Sequence, residues 1–327
     1  MPSCAIRTQK NTAFPVLQKH LKKVKISCII TIKPGERFKN TTTLLQIIDK
    51  LNEHFFSRND ILLNLGGGII TDTGGFAASI FKRGINYYHI PTTLLAMIDA
   101  AHGSKTGVNR DGIKNNIGTF YKPSGVVIEN AWLTTLPKRQ LNNGFAEALK
   151  HALIADRYLW QIIKGITASE FAADKRLVAR CIEIKNDIIE QDMHELNLRR
   201  ILNFGHTIGH ALESYFLTQA KPLLHGEAVL AGMLAESYIL HKSGVLPSND
   251  FDEIKHVFAP LCPRLTIKQS QLEAVMKWMH HDKKNQTSKI GIIPLHAIGQ
   301  ANSDLIFPKK ELLKKSLDFL VKLPGKK

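Results

Sequence analysis

Cysteine is scarce in this sequence: four in 327 residues, Cys4, Cys28, Cys181 and Cys262, with no CxxC pair among them. That excludes a disulfide framework and a thiolate zinc site, and it points to reduced thiols in a cytoplasmic setting. No run approaches the ~18 apolar residues of a membrane span, and the opening MPSCAIRTQK lacks the apolar core of a signal peptide. No membrane partner is expected. Aromatic residues make up 7% of the chain, too few to interleave the basic clusters as a nucleic-acid surface would, and no zinc-finger or RNA-binding signature appears. Acidic residues are the other shortage. Asp and Glu number 28 against 44 Lys and Arg, a formal charge of +16.

An excess of that size suits nucleic acid, an anionic membrane surface or a small anionic substrate. The first two require basic residues gathered on one face. The third requires only a few converging on a pocket. The lysines here form small separate groups: Lys19, Lys22, Lys23 and Lys25; Lys283 and Lys284; Lys309, Lys310, Lys314 and Lys315; Lys326 and Lys327. They read as solvated helix faces and a basic tail, so no nucleic-acid partner is expected.

With 44% hydrophobic residues the chain has ample material for a core, and its length fits about two domains. Short β-branched runs recur early: Ile26–Ile32, Ile61–Leu65, Tyr87–Pro91 and Gly125–Glu129. Helical spacing lies between them, as in Thr42–Phe56 and Gly75–Phe81. This alternation predicts βαβ units around a parallel sheet. After Leu133–Pro137 the texture changes to long amphipathic runs: Asn143–Ala155, Leu177–Glu190, Thr207–Phe216, Glu227–His241 and Gln271–His280. Only Ile290–Pro294 reads as a strand there. A boundary near residue 135 is expected, with an α/β domain over 1–134 and an all-α domain over 135–327.

The strand Ile61–Leu65 runs into Gly66-Gly67-Gly68 and then Asp72. Glycines between a buried strand and a helix let the backbone approach a pyrophosphate, which the helix N-terminus attracts. The spacing is not G-x-G-x-x-G, and a tight structural turn uses glycines too. Thr92 and Thr93 follow a strand ending at Pro91, Asp99 lies on a helical stretch, and Lys105 and Lys114 sit in Gly- and Asn-rich segments read as loops. Asn115 and Arg83 complete a candidate anion site. In RRILNFGHTIGHALES, Asn203, His206, His210 and Glu213 make one helical stripe. No Glu follows the first His, so a protease H-E-x-x-H is excluded. His225 precedes a helix, and GFAEALKHA puts Glu147, Lys150 and His151 on adjacent turns. One Glu and two His leave an open position on a catalytic divalent metal. Spacing alone does not choose the two from His151, His206, His210 and His225.

GGGIITDTGGFAASIFKRG, IPTTLLAMIDAAHGSKTGVN, LTTLP, GFAEALKHALI, LNFGHTIGHALES and LLHGEAVLAGM occur in this order. Together, from about Pro34 to about Ile298, they resemble the 3-dehydroquinate synthase family of sugar-phosphate cyclases. The resemblance implies a Rossmann-like NAD-binding α/β domain followed by an all-α domain, with the site in the cleft. It implies conversion of 3-deoxy-D-arabino-heptulosonate 7-phosphate to 3-dehydroquinate and phosphate, through transient oxidation by NAD, phosphate elimination and aldol closure. It assigns Glu147, His206 and His225 to a zinc or cobalt ion, and gives Asp99 and Asn203 to substrate hydroxyls. Lys185 and Arg199 go to the substrate carboxylate. Lys105, Asn115, His210, Lys283 and Arg83 go to the phosphate, Arg83 reaching from the second subunit of a homodimer, with Lys114 and Lys150 close by. NAD falls to Glu36, Lys39, Gly67, Gly68, Asp72, Thr92, Thr93, Lys105, Lys114 and Thr135.

Three departures from the family pattern stand out. Thr71 replaces a usual Gly, where a β-branched residue disfavours positive φ. His102-Gly103-Ser104 replaces Val-Gly-Gly before Lys105. The opening MPSCAIRTQKNTAFPVLQKHL resembles the family's first strand only loosely, with Asn11-Thr12 matching its tail, and loss of that strand would leave a sheet edge unpaired. The rival readings are another sugar-phosphate cyclase, a glycerol-dehydrogenase-like enzyme, and a catalytically impaired or nucleic-acid-binding relative. Lys185 and Arg199 favour a carboxylate-bearing substrate over the first, and the second would not need so many phosphate-facing cations.

Overall fold

Parallel strands must bury both faces, and the first part of the chain supplies residues for both. In order, it forms β1 (Ser3–Thr8), α1 (Ala13–His20), β2 (Ile26–Ile32), α2 (Thr41–Glu53), β3 (Ile61–Gly66), α3 (Gly68–Ile80) and β4 (Asn86–Pro91). A hairpin of β5 (Lys105–Arg110) and β6 (Ile113–Phe120) and a short β7 (Gly125–Val126) follow. The structure is a computed structural model that describes residues 3–8, 13–20, 26–111, 113–217, 219, 221–280 and 289–323. The chain divides into two units, Met1–Leu141 and Asn142–Lys327. The division falls inside a helix, whereas the change of sequence texture comes at residue 135.

The sheet order is β2-β1-β3-β4-β7, all parallel. The loosely matching first segment is therefore a strand, and a central one. Cys4 and Ile6 point to one face with Cys28, Ile30, Leu62, Ile47 and Phe76. Ala5 points to the other with Leu63, Leu65, Phe14 and Leu17. Ile6 is fully buried, which is worth about 1.5–3 kcal/mol. The strand whose loss would have left an edge unpaired is present and pairs with β2 and β3. The segment 105–120, read as loops, is instead the antiparallel β5–β6 pair, with Lys105 opposite Phe120 and Arg110 opposite Ile113.

The second unit is helical. α4 (Lys138–Ala155) leads into it, then come α5 (Arg157–Ile163), α6 (Ala168–Ala173), α7 (Lys175–Gln191), α8 (His206–Leu217), α9 (His225–Lys242), α10 (Ser248–Phe258), α11 (Leu272–His280) and α12 (Lys310–Lys322). Acceptors start several of them: Asp156 caps α5, Thr167 and Glu170 form a capping box on α6, and Asp174 caps α7. Among the described residues, a small hairpin of β8 (Leu295–Ala297) and β9 (Gln300–Ala301) supplies the strands of this unit. Ile290–Pro294 contributes a single bridge, Ile292 to Ile306. No helix among the described residues is long and apolar enough to cross a membrane.

Candidate functional site

α4, α8 and α9 bring the acidic and imidazole side chains together. Glu147 of α4 is fully buried. Its Oε1 lies 3.8 Å from Nε2 of His206, the first residue of α8, and 3.5 Å from Nε2 of His225, the first residue of α9. His210, one turn along α8, packs edge-on against His206 with ring centres 5.0 Å apart, and 5.8 Å from His225. Lys150 is buried beside this group and ion-pairs with Glu147, and His151 is buried on the same helix.

The far side of each imidazole is also fixed. His206 Nδ1 lies 3.1 Å from the Phe204 carbonyl, an acceptor that holds the proton on Nδ1 and leaves the Nε2 lone pair toward Glu147. His225 Nδ1 faces Glu213 Oε2 at 3.2 Å. Burial alone would lower the His225 pKa, but the carboxylates of Glu213 and Glu147 on either side outweigh it and push it up to about 10. The group therefore favours positive charge. Donors 2.0–2.2 Å from a tetrahedral ion stand about 3.3–3.6 Å apart, so Glu147, His206 and His225 have the donor types and nearly the spacing for a divalent metal. The set His210, Glu213 and His225 also clusters. In the first set both imidazoles offer Nε2, with Nδ1 oriented by a second acceptor, as metal-binding histidines are held.

Backbone ties set these helices in place. Asn143 of α4 accepts the Gly226 N–H at 2.6 Å, fixing the start of α9 against the helix that carries Glu147. Just before α8, the Asp192 carboxylate accepts from the N–H groups of Leu196, Asn197 and Arg199 at 2.9, 2.8 and 3.0 Å. Burial raises its pKa, but the three donors win and hold it below the usual carboxylate range. In the turn so formed, Arg199 donates to the Met193 carbonyl and Asn203 donates to Glu195, which has a positive φ of 60°. Arg199 and Lys185 are both buried, an environment that keeps cations only against acceptors or anions. Lys283 lies outside the described residues.

In the first unit, β3 ends at Gly66, and Gly67 is the N-cap of α3, with no side-chain cap hydrogen bond. Around it runs a polar network. Buried Lys39 ion-pairs with Asp72 and donates to Asn115. Asn109 donates to Glu36 at 2.9 Å and accepts from the Asn115 amide at 2.9 Å, and Lys114 stands 3.8 Å from Glu36. Thr92 donates its amide to Gly66, and the Thr93 hydroxyl accepts from Ala96 at the start of the π-helical turn Ala96–Ala100 that carries Asp99. The hairpin sets Lys105 at the opposite end from Lys114 and Asn115. Thr135 is exposed at the end of a short helical turn. Arg83 is exposed on a turn where Lys82 and Arg83 both have positive φ, 51° and 67°. Arg58 forks onto the Lys82 carbonyl and pins that turn.

A family model described as the N-terminal part of 3-dehydroquinate synthase matches residues 29–143, and one described as its C-terminal part matches 144–285. The chain belongs to the 3-dehydroquinate synthase family. Its function is that of the family, synthesis of 3-dehydroquinate. The 3-dehydroquinate synthase of Parabacteroides distasonis is 37% identical over 312 residues, spanning 95% of this chain and 88% of that protein. That of Campylobacter concisus is 40% identical over 291 residues, 89% and 84% of the two chains. In fold, the chain is similar to 2-epi-5-epi-valiolone synthase from Streptomyces hygroscopicus, solved with NAD+ and Zn2+ bound, at a TM-score of 0.85 and 26% identity over 98% of this chain and 91% of that one.

The departures from the 3-dehydroquinate synthase pattern have structural answers. Thr71 lies inside α3, away from positive φ, with its hydroxyl donating to the Gly68 carbonyl at 3.1 Å. His102 turns back to the Met97 carbonyl at 2.7 Å, and Ser104 is buried ahead of Lys105. Sequence reasoning assigns no role to Glu213 as a partner of His225, or to Asn143, Glu195, Asp192 and Asn109. The helical stripe that includes Glu213 was the one available signal.

Proposed function

We propose that the chain makes 3-dehydroquinate from 3-deoxy-D-arabino-heptulosonate 7-phosphate with NAD and a divalent metal, zinc or cobalt, as a cytoplasmic homodimer. The observation that carries this reading is the Glu147, His206 and His225 constellation, whose Nε2 atoms lie 3.8 and 3.5 Å from one carboxylate oxygen. The solved relative that holds NAD+ and Zn2+ supports it.

In this reading Glu147, His206 and His225 hold the metal. When bound, the metal would supply positive charge beside a substrate hydroxyl, and the dinucleotide would supply transient hydride-acceptor chemistry. Lys150 neutralises the outer oxygen of Glu147. His210, beside the ligands and outside the trio, faces the reacting centre and the phosphate. Arg199 and Lys185 hold the substrate carboxylate, for which a guanidinium offers paired donors, and Asn203, oriented by Glu195, holds a hydroxyl. Gly67, Gly68 and the amides at the start of α3 receive the pyrophosphate. Glu36, Lys39, Asp72, Lys114, Thr92, Thr93 and Thr135 frame the rest of the dinucleotide. Asp99 for a hydroxyl, and Lys105, Asn115, Lys283 and Arg83 for phosphate, belong to the same proposal. The work of these groups is positioning and charge stabilisation.

The test is phosphate release from 3-deoxy-D-arabino-heptulosonate 7-phosphate by the purified protein. Release that needs both NAD and Zn2+ or Co2+ is expected. None with both supplied, or undiminished release after both are stripped, overturns the reading. Elution as a monomer at micromolar concentration overturns the dimer.

A further inference from the structure

The two helices that carry the histidines are in backbone contact. Gly205, just before α8, has a φ of 78°, and a Cβ there would stand 2.3 Å from Met233 Cγ and 2.7 Å from the Met233 amide. A Cβ on Gly232 would stand 2.0 Å from the Gly205 carbonyl. At such close approach, an axial slip of one helix along the other moves His206 directly against His225.

One side chain bridges this crossing at the end remote from His225. Glu236 of α9 is fully buried. Its Oε2 accepts from the Gly205 N–H at 2.8 Å and its Oε1 from the Ile208 N–H at 3.3 Å. Both donors belong to the N-terminus of α8, where amides lack helical partners and the dipole favours negative charge. Burying a carboxylate is costly unless such donors meet it. At the other end of the crossing Glu213 of α8 meets His225 of α9. Each helix thus sends one carboxylate to the start of the other.

We propose that Glu236 is a positioning residue for the metal site: clamped on the Gly205 and Ile208 amides, it sets the height of α8 on α9 and so the separation of His206 from His225. This rests on the reading of Glu147, His206 and His225 as metal ligands. A carboxylate meets both amides with acceptors. A glutamine meets one of them with its own N–H donors, so Glu236→Gln removes half of the clamp at nearly constant volume.

Co2+ titration of the metal-free full-length protein, followed by its visible absorption, tests this. Glu236→Gln is expected to bind Co2+ about tenfold or more weakly, with an altered band, the scale on which outer partners of metal ligands act. Ile163→Val, a buried change on α5, lowers the melting temperature without moving either. A Glu236→Gln protein that melts lower yet binds Co2+ with unchanged affinity and band overturns the proposal alone. A wild-type protein that takes up no Co2+ overturns the metal reading and this proposal with it. Where Glu236→Gln does not fold, hydrogen exchange on the metal-free wild type decides. Protected Gly205 and Ile208 amides support a preset clamp. Amides that exchange freely until Co2+ is added overturn it.

Discussion

Glu213 of α8 accepts a hydrogen bond from Nδ1 of His225, the first residue of α9, at 3.2 Å. The contact orients the ring so that Nε2 faces Glu147 and raises its basicity as a ligand. Glu213→Gln is therefore expected to weaken Zn2+ or Co2+ binding by roughly 10–100-fold, measured by competition with a chelator of known affinity. Unchanged affinity would show that the contact does not orient the ligand.

His225 and His210 are expected to separate under substitution. His225→Ala removes a donor and should lose both bound metal and nearly all turnover. His210→Ala leaves the Glu147, His206 and His225 donors in place, so it should keep the metal and lose phosphate release. Metal content after dialysis, set beside the rate for each variant, checks the pair, and metal loss in His210→Ala would move that residue into the ligand set.

Asp192 organises the turn that carries Glu195, Arg199 and Asn203, and its carboxyl is held below its ordinary value of 3.8. A depressed pKa contributes stability that is complete above the unfolded value and is lost as the pH falls through the folded one. Asp192→Asn should therefore melt lower than wild type at pH 5–7, with the gap closing as the pH falls below 3.8. Melting curves of both proteins across that range measure it. A gap independent of pH would assign the loss to packing.

The four thiols, Cys4, Cys28, Cys181 and Cys262, are all buried. Burial raises the pKa of each, Cys262 to about 12. Little thiolate is present at neutral pH, and the thiolate is the reactive form. The folded protein should leave all four unmodified by an aromatic disulfide reagent at pH 8, and guanidinium should release all four. Rapid reaction of any one in the folded state would contradict the burial described here.

Gly232→Ala tests the helix contact itself. A methyl group 2.0 Å from the Gly205 carbonyl must push α8 and α9 apart, at a cost of about 3 kcal/mol. The shift in urea midpoint reads it, and a neutral result would mean that the crossing has slack.

The residues proposed to bear the chemistry were named from the sequence, but their supports were not. The strand Ile26–Ile32 matches β2 residue for residue because Cys28, Ile30 and Ile32 recur in the strand period on the buried face, with Ser27, Ile29 and Thr31 on the other. Ser3–Thr8 was obscure because it offers one large apolar side chain, Ile6, and gains its stability from neighbours on both sides. The β5–β6 hairpin was hidden by Gly, Asn and Asp, which usually signal turns. At the candidate site, Glu147, His206 and His225 came from motif resemblance, since spacing left four histidines open. Asn143, Glu213 and Glu236 meet partners 83, 12 and 31 residues away. No local periodicity encodes such contacts. They appear only once the helices cross.

β1 precedes in the chain both strands that flank it, β2 and β3. During synthesis it must wait, exposed on both edges, until its two partners have emerged in turn. Slowing translation just after β1 should therefore lower the yield of native protein more than the same delay placed within the helical unit. On that expectation, the order of synthesis as well as the final packing would bear on how much of the first unit forms.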